Sequence, residues 1–249
     1  MHGGESDLSF FVGYRDHVGG RMNSDRSQVK VIFPGVYQIN GRLFTRNLFP
    51  GTRVYNEQIV QIGGVEYRSW NPYRSKLAAA IRKGLNVFPL KEGDTVLYLG
   101  ASTGTTSSHV SDIVGKSGMV YCVEFSPQMM KRLLEVCKVR ENMIPLLADA
   151  RHPEEYSDVV SKVDVIYEDV AQPDQDDILI TNAKRYLKPG GYAFFAIKSQ
   201  SIDVAKDPEE VYKQVRDRLS HNFEILDEVR LDPFEKDHLF MVLKYKGFE

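Results

Sequence analysis

Small, acidic and aromatic residues follow three successive apolar segments of the sequence. The segment TVLYLG runs into ASTGTT, so that Gly100 and Gly104 flank small and hydroxyl-bearing residues. The next apolar segment ends in Glu124 and Phe125, and Asp149 follows the third. Glu124 could accept hydrogen bonds from both hydroxyls of a ribose, Asp149 could accept one from an adenine amino group, and Phe125 could stack on the ring. Together these residues favour a site for an adenosine-containing cofactor.

The spacing of the glycines argues against a diphosphate in this site. The turn has the form G-x-x-x-G, not G-x-G-x-x-G, and no G-K-[ST] follows it. Adenosine without a diphosphate indicates S-adenosylmethionine. An NAD-dependent dehydrogenase would share Glu124 and remains the alternative by fold. Taken singly, Glu124 could be a solvated strand end and Asp149 a helix N-cap.

The elements that must position these residues alternate along the chain after residue 94. Apolar strand segments alternate with helical patterns near 106–114, 127–139, 154–160, 175–187 and 208–219, and two strands close the sequence. This order predicts an α/β fold of the Rossmann-like class I methyltransferase type. Its sheet would have seven strands, mostly parallel, with the last antiparallel. Ligands of such sheets bind beyond the carboxyl ends of the strands.

The preceding part of the chain has a different pattern. Residues 29–70 read as short strands joined by Pro-Gly, Asn-Gly and Gly-Gly turns, which predicts a small antiparallel β-hairpin domain. An amphipathic helix from Asn71-Pro72 to Gly84 then leads into a methyltransferase domain at 71–249. Residues 1–28 lack apolar periodicity, and we expect them to be flexible.

The composition is that of a globular protein with one sizeable core: 249 residues, 42% apolar and a net charge of −2. No apolar run is long enough to cross a bilayer, and the start does not resemble a signal peptide, so we expect a cytoplasmic protein with no membrane partner. Cys122 and Cys137 predict reduced thiols, with no zinc site. Residues 1–90 carry a balance of +6, which could face a polyanion.

Several longer motifs occur in the order of a known family. They are GVEYRSWNPYRSKLAAAI, VLYLGASTGTTSSHVSDIVG, VEFSP, LLADARHP, DVAQPDQ, AIKSQSIDV and LDPFEKDH. Over residues 29–249 the sequence closely resembles fibrillarin, the RNA 2′-O-methyltransferase of C/D-box guide ribonucleoproteins. The glycine- and arginine-rich tract of eukaryotic fibrillarins is missing, so the chain resembles the archaeal type.

The resemblance implies S-adenosylmethionine as methyl donor and no metal ion. The residues implied in the cofactor site are Tyr98, Gly100, Ala101, Ser102, Gly104, Thr105, Thr106, Glu124, Phe125, Asp149, Ala150, Asp169, Ala171 and Gln172. Tyr98 stands where many other methyltransferases carry an acid, which leaves open how the ammonium group of the donor is held.

The resemblance also implies a catalytic set of Lys76, Asp169, Lys198 and His238. Transfer to a ribose hydroxyl requires that the oxygen be aligned and its proton removed. We expect Lys198 to accept this proton, oriented by Asp169, with partial burial and the neighbouring Lys76 favouring its neutral form.

The implied substrates are rRNA and tRNA, paired to a C/D-box guide RNA during rRNA and tRNA processing. Residues that could lie along substrate phosphates are Arg74, Arg82 and Lys83, with Arg42, Arg46 and Arg53 upstream. The implied protein partners are a coiled-coil scaffold with a Nop domain and a ribosomal-type protein that binds kink-turns. The scaffold could dock on the N-terminal hairpins or on acidic helical faces such as that at Glu209.

Two other functions differ in what they require of the sequence. A protein glutamine methyltransferase would act on histone-like substrates, for which the sequence offers no context. A non-catalytic structural subunit of the ribonucleoprotein would have lost members of the set of Lys76, Asp169, Lys198 and His238, and all four are present.

Overall fold

The computed structural model describes residues 29–247, which fold into two β-sheets and six α-helices. The expected flexibility of residues 1–28 lies outside the described residues. Within the described part of the chain, no helix has both the length and the apolar character needed to cross a membrane.

The first sheet is antiparallel and has five strands in the order β1-β2-β3-β5-β4. Its strands are β1 (Val29–Phe33), β2 (Val36–Ile39), β3 (Arg42–Arg46), β4 (Ile59–Ile62) and β5 (Val65–Ser69). The turn between β2 and β3 has positive φ at Asn40 (50°) and Gly41 (77°), as a type I′ turn requires. The predicted small antiparallel unit is therefore confirmed, while the domain boundary at residue 70 stays a prediction.

The second sheet has seven strands in the order β11-β12-β10-β9-β6-β7-β8. Its strands are β6 (Thr95–Leu99), β7 (Met119–Glu124), β8 (Met143–Leu147), β9 (Val163–Glu168), β10 (Leu187–Lys198), β11 (Phe223–Arg230) and β12 (His238–Tyr245). The helices are α1 (Lys76–Arg82), α2 (Thr105–Val114), α3 (Pro127–Val139), α4 (Gln175–Tyr186), α5 (Ser199–Ile202) and α6 (Pro208–Leu219). Strands β6 to β10 are parallel, and β12 is antiparallel to β10, so the predicted methyltransferase topology is confirmed.

Two predicted helices differ from those observed. The helix expected at 154–160 is only a 3-10 helix, Pro153–Tyr156, because Val159 is exposed and the segment presents no continuous apolar face. Helix α1 begins at Lys76, later than expected, since Ser75 caps it by accepting a hydrogen bond from the Ala78 amide. Pro72 disfavours helical geometry at the preceding residue, Asn71, and residues 71–74 form a turn instead.

The N-terminal sheet shares a core with one face of the larger sheet. Trp70, Val36 and Leu43 are buried together with residues of α1, α2 and α3. A second core on the opposite face is formed mainly by α4, α6 and the central strands. Helix α1, which begins with Lys76, therefore packs into the core that the two sheets share.

Buried ion pairs join the N-terminal sheet to α2. Arg68 lies 2.7 Å from Glu57 and 2.8 Å from Asp112, and Arg140 lies 2.7 Å from the other Asp112 oxygen. All four side chains are at most 1% exposed. Two cations and two carboxylates balance one another, as buried charges must.

His109 completes this connection as a neutral ring. Its pKa is held well below the ordinary value by burial and then by Arg68 and Arg140. Thr45 Oγ1 donates its only proton to Asp112, so the His109 Nδ1–H, at 2.7 Å, must donate to Thr45. The Tyr55 hydroxyl lies 2.7 Å from Nε2 and 2.9 Å from the Ser69 carbonyl, and so contacts both groups.

Candidate functional site

The loops after β6 and β9 touch at the carboxyl edge of the large sheet. The Asp169 amide donates to the Leu99 carbonyl at 3.0 Å, and Gly100 follows directly with a φ of 85°. A Cβ atom at Gly100 would lie 2.2 Å from the Asp169 carbonyl oxygen. Only glycine therefore permits this approach, which brings the two loops together around one cavity.

This cavity has a volume of about 240 Å³ and lies beyond the ends of β6, β7, β8 and β9. Nine residues expected at the cofactor line it: Gly100, Ser102, Glu124, Phe125, Asp149, Ala150, Asp169, Ala171 and Gln172. Five lining residues were not expected: Val123, Ala148, Arg151, Val170 and Ile178. The apolar members among them close the cavity between strand ends, a position in the fold that the sequence pattern does not single out.

Glu124 is held in place by the backbone. Its Oε2 accepts from the Ser102 amide at 2.6 Å, and its Oε1 accepts from the Ser126 amide at 2.9 Å. Each carboxylate oxygen keeps a further lone pair, so Glu124 can still accept from the two hydroxyls of a ribose. Phe125, next along the chain, is 64% exposed at the rim of the cavity, where its ring is available for stacking.

Asp149 is paired with Arg151. Both nitrogens of the Arg151 fork contact the carboxylate, the closest contact being 2.7 Å from Nη2 to Oδ2. The Arg151 hydrogen bond is the main reason why the pKa of Asp149 lies below its ordinary value. Arg151 belongs to the motif LLADARHP, but the sequence alone did not show that its side chain donates hydrogen bonds to the Asp149 carboxylate.

Five residues expected at the cofactor do not line the cavity: Tyr98, Ala101, Gly104, Thr105 and Thr106. Tyr98 is 2% exposed and stacks on Tyr167 with ring centroids 4.3 Å apart. Thr106 Oγ1 donates to Ser75 Oγ at 2.9 Å, so this hydroxyl supports the start of α1.

Lys76 and Asp169 form the central ion pair of the site. Lys76 Nζ lies 2.9 Å and 2.8 Å from the two Asp169 oxygens, and both side chains are partly exposed. Burial acts to lower the pKa of Lys76, but Asp169, with a smaller contribution from Glu235, raises it above its ordinary value. Lys76 is therefore an ammonium group that fixes the orientation of the carboxylate.

His238 begins β12 and is 6% exposed. Its Nδ1 lies 2.7 Å from the Lys236 carbonyl, which can only accept, so Nδ1 carries the proton. The pKa of His238 is lowered by burial and, less strongly, by the charge of Lys76, against the opposing effect of the Lys236 hydrogen bond. The ring is thus neutral at pH 7 and keeps a lone pair on Nε2.

Lys198 ends β10 directly opposite His238 in the strand register. Lys198 is exposed because β10 ends at this residue, so the expectation of partial burial is wrong. The carboxylate of Asp169 pairs with Lys76, not with Lys198. The backbone of Lys198 is instead held by the buried side chain of Gln175, a residue that the sequence did not single out.

The residues expected to follow substrate phosphates lie in three parts of the structure. Arg53 and Arg74 line a second cavity beside the N-terminal sheet. Arg82 and Lys83 lie at the far end of α1, about 9 Å along its axis from Lys76, and Arg82 donates to the Gly41 carbonyl at 2.8 Å. Two further candidates, Arg42 and Arg46, lie on β3.

Among residues 29–247, no group of three or more His, Cys, Asp or Glu side chains is placed to hold a metal ion. The expectation that the reaction needs no metal stays a prediction.

Comparisons with known proteins identify related chains. The sequence profile of the family described as Fibrillarin matches residues 27–247. The chain is 54% identical over 217 residues to the fibrillarin-like rRNA/tRNA 2′-O-methyltransferase of Pyrococcus furiosus, covering 85% of this chain and 96% of that protein.

Two solved structures are similar in fold and sequence. Aeropyrum pernix fibrillarin, with natively bound S-adenosyl-L-methionine, is 50% identical with a TM-score of 0.77, covering 84% of this chain and 92% of the other. The chain in a fibrillarin/Nop5p complex is 42% identical with a TM-score of 0.81, covering 87% and 99%.

Proposed function

The chain belongs to the fibrillarin family, and we infer that it is an S-adenosylmethionine-dependent RNA 2′-O-ribose methyltransferase acting on rRNA and tRNA. The observation that carries this function is the position of Asp169. This carboxylate lines the cofactor cavity and is at the same time paired with Lys76. The cofactor site and the catalytic set therefore share one residue.

The residues of the cavity fit S-adenosylmethionine. Glu124 can accept from the ribose hydroxyls, Phe125 can stack on the adenine, and the close approach of Gly100 to Asp169 leaves the loop backbone next to the ligand. The bound sulfonium would supply an activated methyl group. The structure of Aeropyrum pernix fibrillarin with this compound supports the same cofactor here.

The tasks of the protein are to align the ribose hydroxyl and to take its proton. Lys76 is charged and orients the Asp169 carboxylate, which can accept a hydrogen bond from the incoming hydroxyl. The hydroxyl becomes strongly acidic as its oxygen gains the methyl carbon, so a carboxylate is a sufficient proton acceptor. The lone pair on His238 Nε2 is a second acceptor at the same edge.

This assignment differs from the expectation that Lys198 takes the proton. Replacing Asp169 by Asn keeps the shape of the side chain and one oxygen that accepts hydrogen bonds, but it removes the charge and the basic oxygen that takes the proton. We therefore expect methyl transfer to fall by about 100-fold or more. The measurement is transfer from labelled donor to RNA paired with a C/D guide, with calorimetry to show that the variant still binds the donor. Undiminished transfer by Asp169→Asn with donor bound would contradict the assignment.

The protein is proposed to act within an assembly. The complex of a related fibrillarin with Nop5p supports a Nop-domain scaffold as partner. We further propose a C/D-box guide RNA that selects the nucleotide by base pairing, and a kink-turn-binding protein that holds the guide. Methyl transfer that requires all of these components, measured by leaving out one at a time, would test this dependence. We also keep a cytoplasmic location and a reaction without metal as proposals.

A further inference from the structure

A cavity larger than the cofactor cavity lies outside the cofactor site. It has a volume of about 550 Å³ and is formed by the loop between β3 and β4, the turn before α1, the loop between β6 and α2, and helix α3. Its charged lining residues are Arg53, Arg74, Arg132, Glu135 and Arg140. We propose that this groove, called here the arginine groove, binds the phosphodiester backbone of the RNA beside the methylated nucleotide.

The charge of the groove is positive. Arg53, Arg74 and Arg132 are exposed, and none of the three forms an ion pair with another of residues 29–247. The fourth arginine, Arg140, is already paired with Asp112. The one carboxylate in the lining, that of Glu135, is paired with Lys138 at 2.6 Å. Three arginines without acidic partners, brought together from three separate parts of the sequence, suit the bidentate recognition of phosphates.

The wall of the groove is held rigidly. The buried carboxylate of Glu57 accepts from the amides of Val54 at 3.1 Å and Tyr55 at 2.8 Å, and pairs with Arg68. The guanidinium of Arg74 lies 5.1 Å above the centre of the Tyr55 ring. These contacts position the loop and Arg74 in advance, so binding an RNA backbone would require little ordering of the protein.

The groove adjoins the catalytic site. Successive residues of one loop face the two cavities, since Ser102 lines the cofactor cavity and Thr103 lines the groove. Arg74 lies two residues before Lys76, the partner of Asp169. A strand whose ribose hydroxyl reaches Asp169 therefore has phosphates within reach of the groove. The proposal rests on the proposed function and adds where the substrate backbone lies.

The experiment uses the full chain loaded with S-adenosylmethionine and a short fluorescent guide–substrate RNA duplex. The test variant combines Arg53→Gln, Arg74→Gln and Arg132→Gln. The matched control combines Lys116→Gln, Lys131→Gln and Lys213→Gln, three exposed positions that make the same charge change outside the groove. Affinity is measured by anisotropy over a range of salt concentrations, and calorimetry shows that each protein still binds the donor.

Removing one arginine that neutralises a phosphate reduces the slope of log affinity against log salt by roughly 0.7 to 0.9. We expect the slope of the test variant to fall by about 2 to 3, while the control keeps the slope of the wild type within about 1. Equal slopes for the test variant and the control would overturn the proposal. It would also be overturned if the test variant bound RNA as the wild type does but had lost binding of the scaffold protein, because the groove would then be a protein interface. Failure of the wild-type chain to bind the donor would instead contradict the proposed function.

Discussion

The side-chain amide of Gln175 connects the loop after β9, called here the cofactor loop, to the backbone of Lys198. Its Nε2 donates to the Gln172 carbonyl at 2.9 Å and to the Lys198 carbonyl at 3.4 Å, and its Oε1 accepts from the Lys198 amide at 3.1 Å. Gln175 is the first residue of α4 and is fully buried. It therefore fixes the end of β10 relative to a loop that lines the cofactor cavity.

Replacing Gln175 by Ala should lower the turnover of folded, donor-loaded enzyme. The change leaves the Lys198 amide without its side-chain acceptor, and we expect a stability loss of about 1–3 kcal/mol. Because the connection between the end of β10 and the cofactor loop is also removed, kcat should fall by about 10-fold or more while the donor affinity changes less.

The measurement is kcat per donor-binding site, with sites counted by calorimetry. A purely structural role would lower the number of sites and leave turnover per site unchanged. Gln128→Ala, on the exposed side of α3, is the matched control and should behave as the wild type.

The ionisation of His238 should depend on Lys76. Burial and the Lys76 charge lower the pKa of His238, so removing that charge in Lys76→Met should raise the pKa. NMR titration of labelled histidines measures this directly, with the exposed His221 as the internal reference. A His238 pKa that does not move in Lys76→Met would show that the two groups are not coupled.

The sequence predicted those features that follow from strand order. Glu124 ends one apolar strand and Asp149 follows the next, and parallel strands bring their carboxyl ends to one edge. Gly100 was predicted for the same reason, and the structure explains it by the contact with the Asp169 carbonyl. The order of the strands in the sequence is therefore enough to predict which side chains lie together at this edge of the sheet, without knowledge of how the helices pack.

The sequence did not predict contacts that depend on tertiary packing. Thr106 was expected at the cofactor because it is a hydroxyl in a glycine loop, yet it bonds to Ser75, 31 residues away. Arg132, on α3, lines the arginine groove with Arg53, which lies in the loop between β3 and β4. Periodicity places such residues on an element but does not show which distant residue they meet.

The ion pairs between the N-terminal sheet and α2 should be essential for stability. In Asp112→Asn, Arg68 and Arg140 lose the carboxylate that they share, and an uncompensated buried charge remains. We expect the free energy of unfolding to fall by about 3–5 kcal/mol. Urea denaturation measures the change, with Asp217→Asn on the exposed face of α6 as the control.

The same site allows a test by a double-mutant cycle. If the destabilisation in Asp112→Asn comes from the unpaired cations, adding Arg68→Met should recover part of it, because one of the two charges is then absent. Strictly additive losses of stability in the double variant would contradict this origin.

Glu168 is a buried carboxyl group that should make stability depend on pH. It is fully buried beside Asp169, and neither oxygen has a hydrogen-bond partner within residues 29–247. Burial raises its pKa well above the ordinary value, and the charges of Asp176, Asp169 and Asp174 raise it further. The folded protein therefore keeps this proton at pH values where the unfolded chain has lost it.

This contribution to stability is fully present below the unfolded pKa of about 4.3 and is lost as the pH rises toward the folded pKa. Glu168→Gln removes the ionisation while keeping the shape of the side chain. The variant should therefore gain stability relative to the wild type by up to about 1.4 kcal/mol per pH unit over that interval. Urea denaturation from about pH 5 to about pH 8 measures the difference, and Glu141→Gln, at an exposed position, is the control. A constant difference between Glu168→Gln and the wild type across this range would mean that the carboxyl group is already ionised in the folded protein.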